Sequence, residues 1–135
     1  HKVMQAAEEF ISSDHLRLLG IRRDVPQLIA ATDILVFPST VPHFARPVIE
    51  ASAMAKPVIA SDIGGPRELV VPDETGLLIP PDNPEQLAAA IISLLDDSEL
   101  MTQMGEKGYQ RATNKFDAKV NSKRTFAVYD ELLLT

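Results

Sequence analysis

Ile34-Leu-Val-Phe-Pro-Ser-Thr-Val-Pro-His-Phe-Ala-Arg-Pro-Val-Ile-Glu50-Ala-Ser-Ala-Met-Ala-Lys-Pro-Val-Ile-Ala-Ser61 reads as strand, loop, helix, strand. Residues 34–37 are a short apolar run of the kind a buried parallel strand needs, and Pro57-Val-Ile-Ala60 is a second. Between them Pro47 falls in the first turn of a helix, where its missing N–H costs nothing and its fixed φ suits the helix start. Two buried strands joined through a helix form a βαβ crossover and predict a parallel sheet. The loop after Phe37 and the start of the helix then lie outside the carboxyl end of the first strand, where open α/β sheets bind ligands. Glu50 stands one turn into that helix, near the same end.

The pattern extends in both directions. Upstream, Val3, Met4, Ala7, Phe10 and Ile11 fall at helical spacing over residues 2–12, so the chain is expected to begin inside a helix. For an α/β domain this suggests a truncated piece. Leu16-Arg-Leu-Leu19 predicts a short strand closed by Gly20, with Ile21–Asp24 as a loop. Asp24 is placed to cap a helix that has Val25-Pro26 in its first turn and Leu28, Ile29 and Ala31 facing inward. Downstream, Gly64-Gly65 allows close backbone approach to a ligand, and Pro66 begins a short helix. Asp73–Gly76 is a turn and Leu77-Leu-Ile79 a fourth strand. Asn83-Pro84-Glu85-Gln86 is a helix start with capping-box spacing, and Leu87, Ala88, Ile91, Leu94 and Leu95 form its inner face. A helix over 98–114, weakened at Gly105 and Gly108, and a last helix capped by Asp117 complete the chain. Strands alternating with helices give an α/β fold, a Rossmann-like parallel sheet with helices on both faces.

Composition narrows the function classes. The 135 residues suffice for one domain with a real core. The net charge of -6 and the 5% aromatic content argue against a nucleic-acid partner, which wants a basic surface and stacking rings. With no cysteine and three scattered histidines (His1, His15, His43), a thiolate or histidine metal centre is not expected. No cysteine, signal peptide or membrane-length apolar run is present, which fits a cytoplasmic location. Lys107, Arg111, Lys115, Lys119 and Lys123 recur at every fourth position. On one continuous helix they would form a basic ridge for peripheral contact with anionic lipid, but a break near Phe116-Asp117 is expected to split it into solvated faces.

The series Ala31-Thr-Asp33, Pro38-Ser39, Phe44, Val48-Ile-Glu50-Ala51, Lys56-Pro57-Val58, Ser61, Gly64-Gly65, Glu68-Leu69-Val70, Thr75-Gly76-Leu77-Leu78 and Pro80-Pro81-Asp82 resembles the group 1 glycosyltransferases, retaining enzymes of the GT-B fold. The resemblance runs from about Leu16 to the C-terminus. It implies that the chain is the latter part of a GT-B C-terminal domain. Residues 1–115 would be a partial Rossmann-like nucleotide-sugar-binding domain, and residues 116–135 the C-terminal helix of that domain. The family's N-terminal acceptor-binding domain is missing, as is the Gly-Arg and Lys pair that grips the donor diphosphate. The full-length protein would be a glycosyltransferase using a nucleotide sugar as substrate and no cofactor or essential metal; the isolated chain would be inactive. The alternative is a non-catalytic α/β module, either a degenerate donor-binding domain or a scaffold whose uncovered sheet edge pairs with a second copy as a homodimer.

The resemblance also assigns residues. Glu50 would accept hydrogen bonds from the nucleotide ribose, a role for which an ionised carboxylate near a helix N-terminus is suited. Phe44, Ala45, Arg46 and Pro47 would present the helix start to the sugar and diphosphate, with Arg46 adding positive charge. Gly64 and Gly65 would line the sugar side, and Ile21 and Arg22 would lie near the base. A second family carboxylate falls at Pro42, which has no polar side chain; either the loop is re-registered so that His43 serves in its place, or sugar recognition is altered or lost and His43 is a plain exposed loop residue. Ala55 and Ser52 stand where the family often has Gly and Met, and are expected to be packing adjustments. No residue is assigned a catalytic role.

Overall fold

A computed structural model describes Gln5 and residues 15–133. Of the helix expected over 2–12, only Gln5, which is helical, lies among them. The described elements are α1 (Val25–Ala30), β1 (Leu35–Phe37), α2 (Arg46–Ala53), β2 (Val58–Ser61), α3 (Gly64–Leu69), β3 (Gly76–Ile79), α4 (Pro84–Asp96), α5 (Ser98–Lys115) and α6 (Ala118–Leu133). The three strands form one parallel sheet in the order β1-β2-β3, with Leu35 opposite Val58 and Val58 opposite Gly76.

Alternation along the strands sends side chains to two cores. Val58 and Ala60 join Ile29, Val48, Ala51 and Leu69 on one face, with Leu35 and Phe37 of β1 packed against them. Ile59 and Ile79 join Leu94 and Met104 on the other. Helices therefore cover both faces, and β2, buried throughout, is the central strand. Asn83 accepts the Gln86 N–H at 2.9 Å and caps α4 as its sequence predicts.

Three expectations differ from the structure here. Residues 16–20 form no strand; Leu18 and Leu19 are each half exposed, and among the described residues β1 pairs only with β2. A strand exists through its neighbour, and among the described residues none stands beside 16–19. Asp24 does not cap α1 through its side chain, because its carboxylate is bound by the Arg22 guanidinium at 2.7 and 2.8 Å. That contact holds the Asp24 carboxyl below the usual carboxylate range. Ala31, just past α1, is exposed, and so are Ala88 and Leu95 of α4, whose inner face is Leu87, Ala90, Ile91 and Leu94 instead. Gly105 and Gly108 do not interrupt α5: the helix runs through both, Gly108 facing Ser52 of α2 and Gly105 the turn at Ala55 that ends it.

The end of α2 is a Schellman turn. Lys56 N–H donates to Ala51 O at 2.9 Å and Ala55 N–H to Ser52 O at 3.0 Å, with Ala55 in the left-handed region at φ 55°. The alanine therefore marks a backbone requirement rather than a packing adjustment. Ala55→Gly is expected to stabilise the protein by about 1 kcal/mol, since a left-handed non-glycine residue carries a strain of roughly that size. Urea unfolding of the two proteins measures it.

Candidate functional site

The loop between β1 and α2 is held from below. Ser39, at the carboxyl end of β1, donates its N–H to Ser61 Oγ at 2.8 Å. Ser61 ends the neighbouring β2 and is 2% exposed. The Ser39 hydroxyl in turn donates to Val41 O at 2.8 Å and meets His43 Nε2 at 2.9 Å. The His43 ring also stands edge-on to Phe37, with centroids 5.3 Å apart. Two adjacent strand ends thus fix the loop's floor, its turn and the one imidazole it carries.

Gly64 and Gly65 fix the loop from the side. A Cβ on Gly64 would come within 2.8 Å of Pro42 Cβ, and one on Gly65 would overlap the His43 carbonyl oxygen. The close approach these glycines permit is therefore to the loop backbone at 42–44. Arg67 braces the same turn by donating to Asp62 Oδ1 at 2.6 Å and to Asp62 O at 2.9 Å. Pro42 packs against Gly64 and brings no polar group.

Above the loop, Val25, Pro26, Phe37, His43, Phe44, Arg46, Pro47 and Glu50 line an open cleft of about 470 Å³. That size suits a small organic ligand. Five of the residues singled out by sequence, His43, Phe44, Arg46, Pro47 and Glu50, meet here. Ala45 is fully buried beneath them, and no side chain caps α2 there. Glu50 is half-buried, and neither its side chain nor that of Arg46 has a hydrogen bond or ion pair among the described residues. A carboxylate and a guanidinium thus share one cleft with their bonding capacity open. Ile21 is fully exposed and Arg22 is engaged with Asp24; neither lines the cleft.

Three features of the site carry no plain signal in the sequence. Val25 and Pro26 complete the cleft wall; their signal was only helix-start chemistry. Ser39 and Ser61 were visible as polar residues closing two neighbouring strands, yet their bond depends on register. Arg111, read as part of a basic ridge, donates to Leu69 O at 3.1 Å and Glu68 O at 3.2 Å, tying α5 to the end of α3. The ridge is split at Phe116-Asp117, where Asp117 Oδ1 accepts the N–H groups of Lys119 and Val120 and starts a new helix.

The family model described as "Glycosyl transferases group 1" matches residues 1–111. An uncharacterized glycosyltransferase of Methanocaldococcus jannaschii is 32% identical over 136 residues, which cover 97% of this chain and 38% of that protein. The glycogen synthase of Mycobacterium tuberculosis is 33% identical over 129 residues, covering 96% of this chain and 30% of the relative. The chain therefore spans a little over a third of their length, or less. Among solved structures, Anabaena HepE in complex with UDP superposes with a TM-score of 0.89 at 29% identity, over 96% of this chain and 36% of HepE. HepE has also been solved with UDP-glucose. Sucrose-phosphate synthase from Thermosynechococcus elongatus gives a TM-score of 0.90 at 30% identity, over 98% of this chain and 34% of that one. These likenesses place the sheet and its helices in the C-terminal domain of a GT-B fold.

Proposed function

The chain belongs to the group 1 glycosyl transferases, and we propose that it is the donor-binding part of a retaining enzyme that transfers a sugar from a nucleotide sugar to an acceptor. The observation that carries this reading is the cleft itself. It lies at the carboxyl end of β1 and the N-terminus of α2, with Glu50 and Arg46 open toward a ligand.

Each group has a chemical role. Glu50 accepts two ribose hydroxyls, as an ionised carboxylate does. The uncapped first turn of α2 and the Arg46 guanidinium face the diphosphate and stabilise the charge that develops as it leaves. His43 and Phe44 stand on the rim toward the sugar. Gly64 and Gly65 support that rim from behind through the backbone at 42–44. Base selection falls to the wall formed by Val25 and Pro26 rather than to Ile21 and Arg22.

One feature favours a second reading, a donor-binding module that does not transfer: Pro42 provides no acceptor where the family's other carboxylate is expected. The two readings separate in one assay. The full-length protein, incubated with UDP-, GDP- and ADP-sugars and a panel of sugar and lipid acceptors, should release nucleoside diphosphate and yield a product with the donor's anomeric configuration. Binding of a nucleotide sugar without release under any acceptor would establish the second reading instead.

A further inference from the structure

The Ser39–His43 contact decides which ring nitrogen of His43 carries the proton. A serine hydroxyl has one proton. Ser39 Oγ directs it to the Val41 carbonyl at 2.8 Å, a full-strength O–H···O distance. The remaining lone pairs can only accept, so the 2.9 Å contact with His43 Nε2 requires a proton on Nε2. The neutral ring then carries its bare lone pair on Nδ1, 3.4 Å from the Phe44 carbonyl oxygen. The opposite tautomer would replace the 2.8 Å bond to Val41 by a 3.4 Å bond from Nδ1 to Phe44, a poor exchange. Ser39 is itself 9% exposed and tied to Ser61, so its hydroxyl is a fixed partner.

Resting on the donor-site reading above, we infer that Ser39 is a positioning residue that locks His43 as the Nε2–H tautomer and so presents Nδ1 to the cleft as an acceptor for a hydroxyl of the bound sugar. In that tautomer Nδ1 and the Phe44 carbonyl oxygen are two acceptors 3.4 Å apart with no donor between them, a pair that a hydroxyl entering the cleft lined by His43, Phe44 and Glu50 would satisfy. That arrangement matches a ligand rich in hydroxyl donors.

The test is the ring nitrogen spectrum of the 15N-labelled protein at about pH 8.5, where imidazoles are neutral as a class. The His43 signals are assigned by their loss in His43→Ala. The expected pattern is a protonated Nε2 and a bare Nδ1. It should persist in Ser39→Thr, which keeps the hydroxyl, and give way to an average of both tautomers in Ser39→Ala. A wild-type ring protonated on Nδ1, or a Ser39→Ala spectrum like wild type, overturns the lock. The wild-type result stands even if a variant does not fold. On saturation with UDP-glucose, Nδ1 should move toward the hydrogen-bonded range while UDP alone leaves it in place. Binding of UDP-glucose with no change at Nδ1 overturns the acceptor role. Failure of UDP-, GDP- and ADP-sugars to bind at all refutes the donor-site reading and with it the acceptor role, while the tautomer result still decides the lock.

Discussion

Gly105→Ala is expected to destabilise the protein by about 2 kcal/mol, while Gly108→Ala, almost one turn later, is expected to leave it unchanged or stabilise it by up to about 1 kcal/mol. The contrast follows from what each methyl would meet. At Gly105 it would overlap the Ala55 carbonyl oxygen. That oxygen belongs to the Schellman turn of α2, whose two hydrogen bonds at 2.9 and 3.0 Å prevent it from giving way. The helices must separate, and overpacking of this kind costs roughly 3 kcal/mol, of which alanine's better helix propensity returns about 1. At Gly108 the nearest atoms would be Ser52 Cβ and Oγ at 3.6 Å, an ordinary contact, so only the propensity gain remains. Ser52 makes room for this by folding its hydroxyl back onto Val48 O at 2.9 Å. Urea unfolding of both variants measures the difference. Equal effects would mean that the α2–α5 contact is looser than described.

Glu50→Ala is expected to weaken nucleotide binding by roughly 10- to 100-fold, about 1.4–2.7 kcal/mol, the size of losing hydrogen bonds to a charged acceptor. Its effect on stability should be small, because the carboxylate has no intramolecular partner among the described residues. This split separates a binding residue from a structural one. Glu50→Gln should fall between the two, since an amide oxygen still accepts a ribose hydroxyl but lacks the charge. Calorimetric titration of UDP, GDP and ADP into the three proteins gives the affinities, and a thermal scan of each gives the stability. Unchanged affinity in Glu50→Ala would remove the ribose assignment.

Much of this arrangement could be read from the residues before any coordinates. Strands and helices from 34 to 61 follow from apolar runs bounded by Pro38, Pro47 and Pro57, and local chemistry of that kind survives folding. The α4 cap at Asn83 is equally local. What failed depended on neighbours. Leu16–Leu19 has strand-like residues, but a strand also needs a ladder partner, and among the described residues β1 pairs with β2 alone. Asp24 has capping chemistry, but Arg22 competes for its carboxylate at shorter range. Helical periodicity placed Ala31 and Leu95 inside because it reports a stripe and not how wide the covering layer is. The glycines show the same limit. Gly64, Gly65 and Gly105 are visible as missing side chains, whereas the backbone each one admits is a tertiary fact.

The candidate site was legible to a similar depth. Glu50, Arg46, Pro47, Phe44 and His43 share a cleft because one turn of helix and one loop necessarily keep them close. Ile21 and Arg22 were assigned across a longer stretch of chain and do not line it. The Ser39–Ser61 bond, which supports the whole loop, depends on two strands ending side by side, and no single stretch of sequence contains it.

The most direct test of the central claim removes the hydroxyls rather than the carboxylate. The best-binding nucleoside diphosphate is titrated as ribo, 2′-deoxy and 3′-deoxy forms into wild type and into Glu50→Ala. If Glu50 holds the ribose in this cleft, wild type should bind at least one deoxy form roughly tenfold more weakly than the ribo form, about 1.4 kcal/mol, and Glu50→Ala should bind all forms alike. Discrimination against the deoxy forms that persists undiminished in Glu50→Ala would contradict the account, because the ribose would then be held elsewhere.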